Sequence, residues 1–192
     1  MNIIEIIFWS CILLVFHTHL GYGIILFFLV RLKRIVKWGK KEVIPGYEPH
    51  VTLMVAAYHE KDYVDQKVRN ARELDYPPEK LHQVWITDGS NDGTPDLLKK
   101  YEDVTLFHEE ARRGKIAAMN RGMKLVNTPI VVFSDANTLL GKRSIREIVH
   151  LFADPGVGCI SGEKRVFSGE KDAAAGSGES LYWKYESTLK KW

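Results

Sequence analysis

The feature that most restricts how this chain can fold is a long segment near its start that carries no charged side chain. Residues 6–30 contain no Asp, Glu, Lys or Arg. As an α-helix this segment would extend over roughly 37 Å, which is enough to cross a hydrocarbon core about 30 Å thick with some tilt. We therefore predict a transmembrane helix with a basic flank over residues 1–34.

The charges on either side of this segment predict its orientation. Glu5 is the only charged side chain before it, and a basic cluster follows it: Arg31, Lys33, Arg34, Lys37, Lys40 and Lys41. Because basic flanks of a span stay in the cytoplasm, we expect the globular part on the cytoplasmic side of the inner (plasma) membrane. A cleaved signal peptide is the alternative, but the run is too long and lacks a basic leader and a small-residue cleavage site. The cluster can also contact anionic lipid. A nucleic-acid partner is not expected, because aromatic residues interleaved with basic ones at a binding face are lacking.

The two cysteines give no indication of a disulfide. Cys11 lies in the apolar segment and Cys159 in a predicted strand. Both are expected to be small apolar packing residues, which fits a reducing compartment for the globular part.

Short apolar runs alternate with helical segments from residue 50 onward, after a linker with proline and glycine that we place at residues 35–49. The predicted strands are 51–57, 84–87, 104–107, 130–133 and 157–161. The predicted helices are 61–74, one capped by Thr94, 115–126, one capped by Ser144 and running to 152, and one from 179. This alternation predicts an α/β fold, a mostly parallel sheet with flanking helices.

Polar segments follow the predicted strands at four points. They are Ala-Ala-Tyr-His-Glu at 56–60, Asp-Gly-Ser-Asn-Asp-Gly-Thr at 88–94, Arg-Arg-Gly-Lys at 112–115 and Ser-Asp-Ala-Asn at 134–137. In open α/β sheets, ligands bind at the carboxyl ends of the strands. We therefore expect these segments to converge on one edge of the sheet.

Two of these segments predict a phosphorylated ligand with a metal. Asp135 closes an apolar strand, where its oxygen atoms are placed to hold a hard cation such as Mg²⁺ or Mn²⁺. Lys115 begins a helix after Gly114, and a cation at a helix start favours phosphate. Arg112 and Arg113 can add to this, although a solvated basic turn is an equal alternative for Arg112. The alternative for Asp135 is an ordinary Asp at the start of a loop.

Together the four segments resemble the signature of the family 2 glycosyltransferases, inverting enzymes of the GT-A fold that use nucleotide-diphosphate sugars. The Asp-Gly-Ser-x-Asp-Gly-Thr element is its most specific part. The chain is most similar to membrane-bound bacterial members related to poly-N-acetylglucosamine, hyaluronan and cellulose synthases. The resemblance implies that residues 50–192 form the N-terminal, donor-binding part of a GT-A domain that is incomplete at its C-terminal end.

The resemblance also implies which residues bind the donor. They are Ala57, Tyr58, Glu60, Asp88, Ser90, Gly114, Lys115, Asp135 and Ala136. The carboxylate of Asp88 would accept hydrogen bonds from uracil or ribose, whereas Asp92 is interpreted mainly as turn chemistry. His59 stands where the family usually has Asn, which leaves a structural role open for it.

The segment at 134–137 is the counterpart of the metal motif Asp-x-Asp of the family. Asp135 and Asn137 are the implied metal ligands, with Asn137 either coordinating through its amide oxygen or orienting sugar hydroxyls. The implied cofactor is Mg²⁺ or Mn²⁺, which would stabilise the leaving nucleotide as a Lewis acid.

The catalytic base that the resemblance implies is not among the residues of this chain. In the family, an Asp of a Glu-Asp pair downstream of the metal motif deprotonates the acceptor, and no such pair occurs between Asn137 and Trp192. We therefore expect the base to lie beyond Trp192, and we assign no catalytic residue to this chain. The expected result is donor and metal binding without turnover by this chain alone.

The predicted function is transfer of a hexosyl or N-acetylhexosaminyl group from a nucleotide-diphosphate donor, with UDP expected, to a growing polysaccharide or lipid-linked acceptor. A non-catalytic nucleotide-sugar-binding or regulatory protein is the main alternative. A dinucleotide-dependent oxidoreductase is disfavoured because no Gly-x-Gly-x-x-Gly follows the first strand, and a nucleotidyltransferase rests on fold grounds alone.

Overall fold

The structure is a computed structural model that describes residues 2–36, 46–163 and Tyr185. Most of the linker predicted at 35–49, and the helix predicted from residue 179 apart from Tyr185, lie outside these residues, as does Trp192. The described residues belong to two compact units, one containing the N-terminal helices and one formed by residues 46–158.

The described residues at the N-terminus are helical, and residues 6–30 among them carry no charged side chain. Helix α1 spans Ile3–Phe16, a π-helical turn spans His17–Gly21, and α2 spans Tyr22–Val36. The 30 residues of Ile3–Leu32 are long and apolar enough to cross a membrane, at about 45 Å of helix. Most of their side chains are exposed, unlike those of a core helix in a soluble domain. By length and composition, this helix is a candidate for the predicted span.

The second unit is built on a four-stranded parallel sheet. Its strands are β1 (Val51–Ala57), β2 (Leu81–Asp88), β3 (Val104–Glu109) and β4 (Ile130–Asp135), in the order β3-β2-β1-β4. The order reverses between β1 and β4, and open α/β sheets bind ligands outside the carboxyl ends at such a point. Ala56 lies opposite Asp135, and Ala57 lies opposite Thr87. The ends of these three strands are therefore level.

Helices cover both faces of the sheet because the strands are apolar on both sides. On one face, α3 (Lys61–Arg72), α4 (Thr94–Leu98) and α6 (Ser144–Phe152) contribute to a cluster around Leu53, Val55 and Trp85. On the other face, α5 (Lys115–Gly122) packs against Met54, Val84 and Ile86. Short 3₁₀ turns at Pro78–Lys80 and Met123–Leu125 complete this part of the chain. The predicted parallel sheet with flanking helices is confirmed.

The fifth predicted strand, at 157–161, is wrong. Residues 157–163 form no strand, and Cys159 is exposed. Although the segment is apolar, Gly156 before it and Gly158 within it disfavour an extended strand. The exposure of Cys159 contradicts the expectation that it packs in the domain, whereas the expectation for Cys11, which lies in the candidate span, stays a prediction.

Two predicted helix caps are displaced by one residue. Thr94 and Ser144 are the first helical residues, and the cap positions are Gly93 and Arg143.

Candidate functional site

The loops after β1 and β2 are joined by hydrogen bonds from backbone to side chain. The N–H of His59 donates to Oγ of Ser90 over 3.2 Å, and the N–H of Glu60 donates to Oγ1 of Thr94 over 3.2 Å. Both hydroxyl residues are buried, with Ser90 5% and Thr94 0% exposed. The first two polar segments are therefore held together as one surface.

Asp92 has the contacts of a turn residue. Its Oδ1 accepts from the N–H of Thr94 at 3.1 Å, and its Oδ2 accepts from the N–H of Lys61 at 3.3 Å. Burial raises the pKa of Asp92, but hydrogen bonds from Thr94 and Lys61 outweigh it and hold the pKa below its usual value. These contacts agree with the interpretation of Asp92 as turn chemistry.

Asp88 is buried at the end of β2 and fastens the loop that precedes α5. Its Oδ2 accepts the backbone N–H groups of Arg113 at 2.8 Å and Gly114 at 2.7 Å, and its Oδ1 pairs with the guanidinium of Arg121. Burial alone would raise the pKa of Asp88, but these hydrogen bonds lower it by more than burial raises it. The net pKa is therefore below the usual value. A donor contact by Asp88 stays a prediction, and the structure adds this positioning task.

Arg121 was not anticipated from the sequence. It lies in the last turn of α5 with its side chain 13% exposed, and its Nε is 3.6 Å from Oε2 of Glu109. Glu109 also lies 3.6 Å from Nε of Arg113. A basic residue at the end of a helix has the sequence appearance of a solvated charge, so no signal distinguished it.

The side chains of Arg112, Tyr58 and His59 form a stack beside the end of β1. The Tyr58 ring is 38% exposed, and the guanidinium of Arg112 lies 3.9 Å from its centroid. The His59 ring stacks with Tyr58 at 4.1 Å. Arg112 is thus engaged by an aromatic ring, a cation–π contact, and is more than a solvated basic turn.

Asp135 and Lys115 meet at the carboxyl end of the sheet. Nζ of Lys115 lies 2.5 Å from Oδ1 of Asp135, and their side chains are 59% and 45% exposed. Lys115 follows Gly114, which is tied to Asp88. The structure therefore brings Asp88, Lys115 and Asp135 to the same edge of the sheet, as the sequence predicted. Beside Asp135, Ala136 is 1% exposed and Asn137 is exposed.

The residues at this edge fit a metal that is completed by its ligand. In the described part of the chain, no group of three His, Cys, Asp or Glu could hold a metal by itself. Mg²⁺ and related ions in nucleotide sites are bound through one or two carboxylates plus substrate phosphates. Burial raises the pKa of Glu60, and the negative charges of Asp135 and Asp92 raise it further. These carboxylates thus act on one another at this edge, and a divalent cation beside Asp135 and Asn137 would lessen that repulsion.

Lys67 is the second residue that the sequence analysis missed. It is 0% exposed within α3, and burial lowers its pKa to about 8, against an opposing effect of Asp135. A signal was present, because Val64, Lys67, Val68 and Ala71 follow the spacing of a buried helical stripe. A lysine inside such a stripe must find partners in the core.

The four predicted polar segments converge, but their members differ in exposure. Ala57 is 5% exposed and Ala136 is 1% exposed, so both are buried. A ligand could contact little of them except their backbone groups. Tyr58, Lys115 and Asp135 present side chains to the surface.

Comparison with known proteins adds independent findings. The sequence model of the family described as "Glycosyl transferase family 2" matches residues 52–191. A poly-beta-1,6-N-acetyl-D-glucosamine synthase of Staphylococcus aureus is 28% identical over 148 residues, which are 75% of this chain and 35% of the relative. The chain therefore spans about a third of the length of the curated relatives it matches.

Solved structures agree with this similarity. The mannosyltransferase PcManGT from Pyrobaculum calidifontis, in complex with GDP-Man and Mn²⁺, has a TM-score of 0.67 and 33% identity, over 80% of this chain and 46% of that chain. TarS of S. aureus in complex with UDP-GlcNAc has a TM-score of 0.51 and 18% identity, over 54% of this chain and 31% of that chain. The second likeness concerns the fold alone.

Proposed function

Because the chain belongs to glycosyl transferase family 2, we propose that it binds the donor for an inverting sugar transfer at the cytoplasmic face of the plasma membrane. The family and the GT-A fold predicted from the sequence are confirmed. Family membership decides against the dinucleotide-dependent oxidoreductase and the nucleotidyltransferase. The proposed reaction passes a sugar from a nucleotide diphosphate to a growing polysaccharide or lipid-linked acceptor.

The pairing of Asp135 with Lys115 carries this proposal. An exposed carboxylate and an exposed ammonium lie 2.5 Å apart at the sheet edge where such folds bind ligands. On donor binding, Lys115 would leave Asp135 for the diphosphate at the start of α5, and Asp135 with Asn137 would hold Mg²⁺ or Mn²⁺. When bound, the cation supplies Lewis-acid stabilisation of the leaving nucleotide. The stack of Arg112, Tyr58 and His59 would contact the base of the nucleotide.

For the donor we propose a UDP-sugar. The supporting observations are the poly-beta-1,6-N-acetyl-D-glucosamine synthase relatives and the UDP donor that the sequence resemblance implies. GDP-mannose is a second candidate, favoured by the higher identity and TM-score of the mannosyltransferase solved with GDP-Man. Competition of UDP-GlcNAc and GDP-Man for one site on the full chain would separate the two.

Calorimetric titration of UDP into the full chain in detergent with Mn²⁺ tests the site. We expect a saturable heat with Mn²⁺, and Asp135→Asn weakens binding by about tenfold or more, as loss of a charged metal ligand should. Asp103→Asn is the matched control. Asp103 immediately precedes β3, so it lies at the amino ends of the strands, away from the carboxyl ends where Asp135 lies. An unchanged affinity in Asp135→Asn would contradict the proposal.

Transfer itself is a separate question, because it needs a general base as well as a bound donor. No Glu-Asp pair occurs between Asn137 and Trp192, so we assign no base to these residues. Radiolabelled donor, with membranes as the source of acceptor, provides the measurement. Binding without transfer is the expected result for this chain alone under both the enzyme and the non-catalytic alternative, whereas transfer or donor hydrolysis by it would decide for the enzyme.

A further inference from the structure

We propose that Lys67 is a positioning residue that fixes the segment around Asp135 from inside the domain. The functional part of this inference rests on the function proposed for Asp135. Lys67 is not among the residues that the sequence resemblance assigns to the donor.

The ammonium group of Lys67 holds the segment on both sides of Asp135. Nζ donates to Oγ of Ser134 over 2.7 Å and to the carbonyl oxygen of Thr138 over 2.5 Å. The N–H of Thr138 in turn donates to the carbonyl oxygen of Asp135 over 3.2 Å. The turn that presents the Asp135 side chain is therefore closed around one buried cation.

A second residue of α3 extends this attachment. Asn70 lies one turn beyond Lys67, and its amide donates to the carbonyl oxygen of Leu140 over 2.9 Å and accepts its N–H over 2.8 Å. Helix α3 therefore holds the chain after β4 at Ser134, Thr138 and Leu140. Because α3 is packed into the core through Val64, this anchor belongs to the core of the domain.

The cost of burying Lys67 argues that its contacts matter for more than packing. Removing an ammonium group from water costs several kcal/mol unless hydrogen bonds and charges compensate. A methionine could occupy the same stripe without that cost, because the neighbours on α3 are apolar. Positioning of Asp135 is the use that the geometry offers.

The test compares two variants. Lys67→Met removes the hydrogen bonds to Ser134 and Thr138 together with the charge, and Lys67→Gln keeps an N–H donor but no charge. Lys99→Met is the control, since Lys99 is exposed on the surface. All variants are full chains in detergent. Hydrogen exchange reports the order of residues 135–140, and Mn²⁺ titration with UDP reports the site.

We expect Lys67→Met to exchange about tenfold faster at residues 135–140 and not elsewhere, with the global melting temperature retained. We expect its Mn²⁺ affinity to fall by about tenfold, as is typical when a residue that orients a metal ligand is lost. Lys67→Gln should lie between wild type and Lys67→Met in both measurements. A merely structural lysine would change the melting temperature without changing the metal affinity of the folded protein.

The inference would be overturned if Lys67→Met exchanged at wild-type rates at residues 135–140. If Lys67→Met does not fold, Lys67→Gln takes its place in this comparison. Unchanged Mn²⁺ affinity in a folded variant would overturn the inference as well, while leaving the proposed function intact. If the wild-type chain itself bound neither Mn²⁺ nor UDP, the proposed function would fail, and the functional part of the inference would fail with it. The exchange rates would still decide whether Lys67 orders the segment.

Discussion

At the scale of single residues, Asp88 joins two loops because each of its carboxylate oxygen atoms has donors within the protein. The backbone of Arg113 and Gly114 and the guanidinium of Arg121 surround it, and it is 5% exposed. A ligand that reaches Asp88 meets a carboxylate already held in place. The site is therefore organised before the donor arrives, which lowers the ordering cost of binding.

Replacing Asp88 should destabilise the domain. Asp88→Asn leaves the buried guanidinium of Arg121 with only the more distant carboxylate of Glu109 as a counter-charge, and breaking a buried ion pair typically costs about 3 kcal/mol or more. Urea unfolding followed by tryptophan fluorescence measures it, since Trp85 is fully buried. The double variant Asp88→Asn/Arg121→Met should recover part of the loss. Equal stability of Asp88→Asn and wild type would contradict this account.

The same variant should change the acid dependence of stability. The pKa of Asp88 is lowered from its usual 3.8, so the folded state binds fewer protons than the unfolded state near that pH. Its contribution is fully present above the unfolded pKa and is lost as the pH falls through the lower folded pKa. The difference between wild type and Asp88→Asn should therefore be constant from neutral pH to about 5 and shrink in stronger acid. A difference that grows on acidification would have the wrong sign.

His59 has a backbone reason to differ from its neighbours. Its φ is +54°, the one positive value among the described residues other than glycine. Asn, Asp and His are the residue types most often found in this left-handed region, and β-branched residues are the least suited. Asn, which the sequence resemblance leads one to expect at this position, and the His of this chain both suit this conformation.

We expect His59→Asn to retain the free energy of unfolding, and His59→Val to lose about 1–2 kcal/mol. Urea unfolding of both variants provides the comparison. If His59→Asn were as unstable as His59→Val, the ring of His59 rather than its backbone would be what the fold requires.

At the scale of elements, the sequence was informative wherever one segment determines its own structure. The strand at 130–133 and the helix at 144–152 were predicted almost to the residue, because continuous apolar runs and helical spacing are local signals. The strand at 157–161 failed because pairing depends on a neighbouring strand, which local pattern does not reveal. The Lys67 and Arg121 contacts are likewise tertiary, so their partners could not be read from spacing.

The packing of α5 on the sheet depends on a glycine. A Cβ at Gly122 would lie 2.8 Å from Cδ1 of Ile86 and 2.9 Å from Sδ of Met54, both essentially buried. Gly→Ala normally stabilises a helix by about 0.5–1 kcal/mol, but overpacking costs about 1–3 kcal/mol. We expect Gly122→Ala to lose about 1 kcal/mol net, measured by urea unfolding. Gly158→Ala is the control, because its Cβ would meet nothing within 4 Å, and a stabilised Gly122→Ala would show that α5 can shift.

At the scale of the whole molecule, the chain combines an exposed apolar helix with an α/β domain whose site faces the carboxyl ends of its strands. The sequence predicted both parts, since hydropathy and strand alternation are properties of long segments. The side of the membrane on which the domain lies depends on the charge balance around residues 6–30. The orientation can be measured with one probe in the candidate span and another beyond it.

The two cysteines of the chain allow that measurement. Cys159 is exposed, and Cys11 lies within the candidate span. A membrane-impermeant maleimide should leave intact cells unlabelled and should label Cys159 once the plasma membrane is permeabilised. Cys11 should stay unreacted in both conditions, because the reactive thiolate does not form in hydrocarbon. Cys159→Ser should abolish the signal and Cys11→Ser should keep it. Labelling of Cys159 in intact cells would place it outside and would reverse the orientation that the basic flank predicts.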